Sequence, residues 1–244
     1  MQPGFGSGAA GPKGNPASKV SVVIPALNEV ESIGTVVRSM PWELIAECIV
    51  VDNGSTDGTG EAAEAAGARV VRSPRGYGAA MHAGVTAALG SSEILVMLDG
   101  DGSDEVADMP RFLDSIERGE ADFVIGSRLR GVREPRSMLA SQVFAAHLIS
   151  ALVRVLYGFR YTDMGPFRAI RRSRLEALQM REMTFGWNLE MQIKAVRDGL
   201  RILEIPVNYK CRIGGMSKVS GNLKASLQAG WRILGVFRRV RVQR

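Results

Sequence analysis

Between Val20 and Val207 short apolar runs alternate with stretches of helical periodicity, and most of the runs stop at a polar or glycine-bearing turn. Val20-Ser21-Val22-Val23-Ile24 is closed by Pro25, Cys48-Ile49-Val50-Val51 ends at Asp52, and residues 93–98 end at Asp99. Arg69-Val70-Val71-Arg72 and Phe123-Val124-Ile125 are two more such runs, and residues 200–207 read as a last one. Short runs rich in β-branched residues are strands. Residues 29–40, 58–66, 76–89 and 109–118 lie between them and read as helices. Strand and helix in alternation predict right-handed βαβ units, hence an α/β fold with a mainly parallel sheet flanked by helices. The later part is more helical, over 137–157, 172–180, 188–198 and 222–240.

A chain of 244 residues with 45% hydrophobic content can bury one substantial core. No repeat or internal boundary divides it. The expected organisation is a flexible low-complexity tail over 1–18, one domain over 19–220 and a basic amphipathic helix over 221–244. Gly6, Gly8 and Gly11 match a dinucleotide-loop spacing, but no strand precedes them, so they read as linker. Cys48 and Cys211 are too few for a disulfide framework or zinc cluster and fit a reducing, cytoplasmic setting. His82 and His147 are isolated and share no ligand spacing with them.

Nine basic residues and no acidic ones fall between Lys210 and Arg244, so the net charge of +6 belongs to the C-terminal end. That suggests an anionic partner there. Leu223, Leu227, Trp231, Leu234 and Phe237 recur at helical spacing, with Lys224, Arg232 and Arg239 beside or opposite them. The stripe suits either a helix packed on the domain or one lying on an anionic bilayer. No stretch reaches the roughly 18 uninterrupted apolar residues of a spanning helix. Residues 143–159 come nearest, but with His147 and Arg154 they read as an amphipathic or buried helix.

Polar residues gather just after the strands: Asn28 and Glu29, then Asp52, Ser55 and Asp57, then Gly76 and Gly78, then Asp99 and Asp101, then Arg128. In a parallel sheet these loops share the carboxyl edge, where nucleotides bind. Asp99-Gly100-Asp101 is the sharpest signal: two carboxylates one residue apart can face a hard divalent cation, and Gly100 would allow close backbone approach. A plain Asp/Gly turn is the competing reading, and a calcium loop over 99–104 lacks its required glycine and glutamate.

Val22-Val23-Ile24-Pro25-Ala26-Leu27-Asn28-Glu29, Val50-Val51-Asp52-Asn53-Gly54-Ser55-Thr56-Asp57-Gly58-Thr59 and Leu98-Asp99-Gly100-Asp101 resemble the inverting family-2 glycosyltransferases with the Rossmann-like GT-A fold. Ile125-Gly126-Ser127-Arg128, Thr162-Asp163-Met164-Gly165-Pro166-Phe167-Arg168-Ala169 and Arg212-x-x-Gly215-x-Ser217-Lys218 are similar to the branch of polyprenyl-phosphate (dolichyl-phosphate) mannosyl- and glucosyltransferases. The resemblance implies a hexosyltransferase using a UDP- or GDP-sugar with Mg2+ or Mn2+. It implies that Pro25, Asn28, Glu29 and Asp52 hold the nucleoside. Asp99 and Asp101 would meet the sugar and the metal-bound diphosphate, with Gly76 and Gly100 lining the donor. Asp101 would ligate the metal, with Ser103 where relatives carry a helping glutamine. Arg128, Arg212 and Lys218 would contact phosphates.

Glu190 lies where many relatives place a base, and Asp163 competes with it for that role. A hydroxyl acceptor would need such a base; a phosphate monoester would not. The implied acceptor is a polyprenyl phosphate or another membrane-associated lipid, with peripheral contact to the inner face of the membrane. Soluble acceptors and a homo-oligomer stay open. A sugar-phosphate nucleotidyltransferase should carry a Gly-rich basic loop where Pro25-Ala26-Leu27-Asn28-Glu29 stands. A non-catalytic nucleotide or nucleic-acid binder is disfavoured, because the basic C-terminus has little aromatic interleaving for base stacking.

Overall fold

The structure, a computed structural model, describes residues 14–214 together with Gly235 and Phe237. Among the described residues seven strands form one sheet in the order β3-β2-β1-β4-β6-β5-β7. They are β1 (Val20–Ala26), β2 (Glu47–Asp52), β3 (Arg69–Arg72), β4 (Ile94–Met97), β5 (Phe123–Ser127), β6 (Arg168–Arg171) and β7 (Ile202–Pro206). All neighbours run parallel except β6, which is antiparallel to both β4 and β5. β6 was not anticipated as a strand. Arg168 and Arg171 interrupt the apolar pattern, yet Arg168 is fully buried in the sheet.

Helices cover both faces, as the sequence predicts for a mainly parallel sheet. α1 (Val30–Arg38), α2 (Thr59–Ala65) and α4 (Met109–Glu117) lie on one side, sharing a core with Val20, Val22 and Ile24. α3 (Tyr77–Ala87), α5 (Ala140–Tyr157), α6 (Arg172–Ala177) and α7 (Trp187–Arg197) lie on the other, sharing a core with Val23, Leu95 and Met97. The period-two alternation of β1 therefore feeds two cores. In α4, Met109, Phe112, Leu113 and Ile116 recur at helical spacing and are all buried.

Pro25 sits inside a central strand, where a proline normally removes a ladder bond. Here it costs none. The Val23 carbonyl accepts from Leu98, so Pro25, two residues on, faces the side where β4 has already ended. β1 then runs on against β2 alone as far as Ala26 and Asp52.

α5 is 18 residues long with a mean hydropathy of 1.4, enough by length and composition to cross a bilayer, and 22% of it is buried. Ala146, Ile149, Ser150 and Val153 form its inner face, whereas Phe144, Leu148 and Val155 are exposed. It is thus amphipathic only in part, because its outward face is apolar too.

Residues 14–18 are tied to the turn before β2: Asn15 donates to the carbonyls of Ile45 and Glu43. The C-terminal helix and Lys218 lie outside the described residues, apart from Gly235 and Phe237. Phe237 is buried and stacks on Tyr157 with 6.4 Å between ring centroids. Cys48 is buried, Cys211 is exposed, and both thiols are free.

Candidate functional site

The carboxyl ends of β1, β2, β4 and β5 reach the same edge, because these strands run the same way. β1 lies between β2 and β4, so the chain crosses to opposite sides of the sheet there, the usual position of a nucleotide crevice.

After β1 the backbone turns at Asn28, whose φ of 51° is in the left-handed region that Asn tolerates. Its side-chain oxygen accepts from Thr56 N–H at 2.9 Å, and its own N–H reaches Ser55 Oγ at 3.0 Å. Asp52 accepts from Ser55 N–H at 2.8 Å, closing a turn at the end of β2. A cavity of about 460 Å3 opens there, walled by Asp52, Ser55, Thr59, Glu61 and Arg72. Pro25, Asn28, Glu29 and Asp52 thus occupy adjoining loops.

After β4, Asp104 joins Asp99 and Asp101 at the crevice. Asp101 accepts from Ser103 N–H at 2.9 Å, and Asp104 accepts from Asp99 N–H at 3.2 Å. Burial first, then the charge of Asp101, pushes Asp99 well above the ordinary carboxylate range. Burial and the charges of Asp99 and Asp101 do the same to Asp104. Asp104 Oδ1 is buried with no hydrogen-bond partner. Arg212 lies across the opening, its guanidinium 3.0 Å from Glu29 Oε1 and 3.5 Å from Asp101 Oδ2. The C-terminal motif and the first strand loop, far apart in sequence, therefore meet at Asp101.

Gly100 serves packing rather than an open approach. A methyl group there would come within 3.1 Å of Ile33 and 3.3 Å of Ile24, and its carbonyl accepts from Ser32 Oγ at 2.8 Å. Gly76 is comparable. Its N–H donates to Asn53 Oδ1 at 3.0 Å, and a methyl group would stand 2.5 Å from the Met183 carbonyl. Ser103 is buried, with its carbonyl accepting from Lys210 N–H.

Arg128 and Asp163 form a buried bidentate pair. The guanidinium donates at 2.7 and 2.9 Å, and the Arg128 and Met164 N–H groups donate to the same carboxylate. Burial would raise Asp163, but these donors outweigh it and hold the carboxyl below its usual range. Arg128 also covers the ring of Tyr209 at 5.0 Å. Glu190 is buried on α7. It accepts from the N–H groups of Arg181 and Glu182 and pairs with Lys194 at 2.8 Å. It anchors the segment that packs over Gly76 and Gly78, whose carbonyls at Met183 and Thr184 accept from the first N–H groups of α3.

Four residues near the site escaped sequence reasoning. Asp104 was legible only as the third carboxylate of a D-x-D-x-x-D run. Tyr77 lies 3.4 Å from Asp99. Tyr209 pairs with Asp104 as an isolated bridge. Arg168 is buried in β6, held by the carbonyls of Gly165 and Asn188, and its charge acts on Asp99 and Asp163. Its one signal was its place in the motif over 162–169, since arginines at both ends of Ala169-Ile170 hide the strand.

The sequence model of glycosyl transferase family 2 matches residues 21–179. An uncharacterized glycosyltransferase of Mycobacterium tuberculosis is 38% identical over 213 residues, covering 86% of this chain and 94% of its own. The undecaprenyl-phosphate mannosyltransferase of Micrococcus luteus is 32% identical over 222 residues, covering 84% and 89%. The crystal structure of glucosyl-3-phosphoglycerate synthase from M. tuberculosis, in complex with Mn2+, UDP-glucose and phosphoglyceric acid, matches with a TM-score of 0.71. It is 23% identical and spans 98% of this chain and 85% of that one, a likeness of fold.

Proposed function

This chain belongs to glycosyl transferase family 2 and is a glycosyltransferase of GT-A fold, and we propose that it moves a hexose, with inversion, from a UDP- or GDP-sugar to a polyprenyl phosphate or similar membrane lipid phosphate. The observation that carries the reading is the run Asp99, Asp101 and Asp104 at the carboxyl edge, with Arg212 drawn to Asp101. Pro25, Asn28, Glu29 and Asp52 are read as the nucleoside end and Asp99 as the sugar end.

Mg2+ or Mn2+ fits this donor set. The oxygens are hard ligands, burial and mutual repulsion outweigh the nearby charges of Arg128 and Arg168 at Asp99, and one buried oxygen of Asp104 has no donor. Asp101, with Ser103 beside it, would hold the ion, whose chemistry when bound is to neutralise charge on the departing diphosphate. Arg212 offers a fixed positive charge to the same phosphates.

The acceptor reading rests on the two candidate bases. A phosphate monoester has a second pKa near 6 and is largely ionised at neutral pH, so it attacks without help. A hydroxyl would need a free carboxylate. Asp163 and Glu190 both give their oxygens to protein donors, which favours the phosphate. The name of the Micrococcus luteus relative points the same way. On this reading the protein works peripherally at the inner face of the membrane.

The test incubates purified protein with UDP-glucose, UDP-galactose or GDP-mannose, Mn2+ or Mg2+, and undecaprenyl phosphate, phosphoglyceric acid or no acceptor. Metal-dependent formation of an undecaprenyl-phosphate sugar is expected. Transfer to the soluble acceptor alone would overturn the acceptor assignment.

A further inference from the structure

Tyr77, the first residue of α3, puts its hydroxyl where three elements meet. It lies 3.4 Å from Asp99 Oδ1 after β4, and the side-chain amide of Asn188 on α7 donates to it across 3.4 Å. Both separations are at the outer limit for hydrogen bonds, so neither contact uses the full capacity of its groups.

The neighbours of that hydroxyl have capacity left as well. Among the described residues no donor but Tyr77 reaches the Asp99 carboxylate. Asn188 Oδ1 is buried and has no partner. Turning the amide round exchanges one deficit for another, since its NH2 would then be the buried group left over. A buried side-chain oxygen is normally hydrogen-bonded, so this one is set to accept from a ligand.

The backbone holds these groups in register. The Gly78 and Ala79 N–H groups at the start of α3 donate to the carbonyls of Thr184 and Met183, in the segment that leads into α7. A methyl group on Gly78 would stand 2.1 Å from the Glu182 carbonyl, so the two backbones touch there. Arg168 donates to the Asn188 carbonyl at 3.4 Å, and the Tyr77 ring packs against the core shared by α3 and α7. Polar groups fixed in this way on regular elements form a preorganised site.

Their bonding inventory selects the ligand. Asp99 and the Asn188 oxygen accept, and the Tyr77 hydroxyl can do either. A phosphate offers acceptors and would meet a carboxylate. A sugar hydroxyl donates and accepts at once, and a pyranose carries several side by side. A site built to bond a hydroxyl rejects a ligand that places it wrongly, because its buried polar groups are then left unpaired.

We propose that Tyr77 and Asn188 read the transferred hexose, taking with Asp99 the hydroxyls whose configuration separates one hexose from its epimers. The assignment rests on Asp99 being the sugar end of the donor site, and adds the residues that choose the sugar.

Titration calorimetry of the full chain with Mn2+ tests it, using UDP, GDP, UDP-glucose, UDP-galactose, GDP-mannose and GDP-glucose. The wild type should prefer one sugar over its epimer by about tenfold or more. Tyr77→Phe, which keeps the ring, and Asn188→Leu, which keeps the volume, should each weaken that nucleotide sugar by about tenfold. The same variants should leave binding of the bare nucleoside diphosphate unchanged and shrink the preference between epimers. Circular dichroism should match the wild type. Equal weakening of nucleotide sugar and bare diphosphate would make the pair structural and overturn the proposal, as would an unchanged epimer preference or a wild type indifferent to epimers. A wild type that binds none of these nucleotides would overturn the donor reading itself, an outcome distinct from any change in the variants.

Discussion

Asp163→Asn separates two roles for a carboxylate that chemistry alone would make a base. Asp163 has no exposed surface, and its partner Arg128 is 14% exposed at the side chain. Four donors converge on it: the guanidinium twice and the N–H groups of Arg128 and Met164. An asparagine keeps the shape but removes the charge, and its NH2 faces a guanidinium that can only donate. Breaking a buried pair from one side costs about 3–5 kcal/mol, because the remaining charge stays desolvated. For a chain of this size each kcal/mol moves the melting temperature by about 2–4 °C, so a fall of roughly 6–20 °C is expected by scanning fluorimetry. Arg128→Met should cost a similar amount. The double variant should cost less than the sum of the two, with a coupling of about 2 kcal/mol or more in urea unfolding. Because Arg128 also covers Tyr209, whose segment delivers Arg212 to Asp101, the donor KM of Asp163→Asn should rise. A variant melting within about 2 °C of the wild type while losing kcat alone would refute the reasoning and restore Asp163 as a base.

Asp101→Asn should abolish metal-dependent transfer while leaving the circular dichroism spectrum and melting curve unchanged; full activity in that variant, or in EDTA, would remove the metal from the proposal. Asp122 is held near pKa about 2, chiefly by the Arg201 hydrogen bond, against about 3.9 in an unfolded chain. A depressed folded pKa gives stability that is present above pH ~4 and lost as the pH falls towards 2. Arg201 is 55% exposed, so solvent screening leaves about 1 kcal/mol, which urea unfolding of Asp122→Asn should lose at pH 7 and not at pH 2. Gly84→Ala should destabilise by about 1–2 kcal/mol despite better helix propensity, since its methyl would clash with Val23 and lie 2.9 Å from Val51 on the sheet; a rise in melting temperature would contradict that packing.

The parallel core of the fold was legible because its strands obey one rule. β1, β2, β3 and β4 are apolar runs that end within a residue or two of their expected limits, and β3 matches at both ends. β6 breaks the rule for a physical reason. Its register puts Arg168 opposite Met97 and Ile125, so the strand carries a buried charge that no period-two reading of hydrophobicity can find. That charge lies near the acidic crevice and acts on both Asp99 and Asp163. The strand that hydrophobicity misses is thus the one that helps balance the site.

The same reasoning explains which site residues were visible. Asp52, Asp99 and Asp101 stand at strand ends, where direction alone fixes their position, so a pattern of strands sufficed. Arg212 was reached only through a motif, because its place depends on a chain segment that crosses back to Asp101 by way of Tyr209. Glu190 shows the limit most clearly. Its place in the family's pattern suggested chemistry, but its oxygens are claimed by Lys194 and by the N–H groups of Arg181 and Glu182, which sequence does not distinguish from any other backbone. Backbone donors decide whether a carboxylate is free to act, and they become visible only once the chain has folded. For the carboxylates after β4 the balance runs the other way. Asp99, Asp101 and Asp104 have few donors and repel one another, and it is that deficit, more than the D-x-D spelling, on which the proposal of a cation at this edge rests.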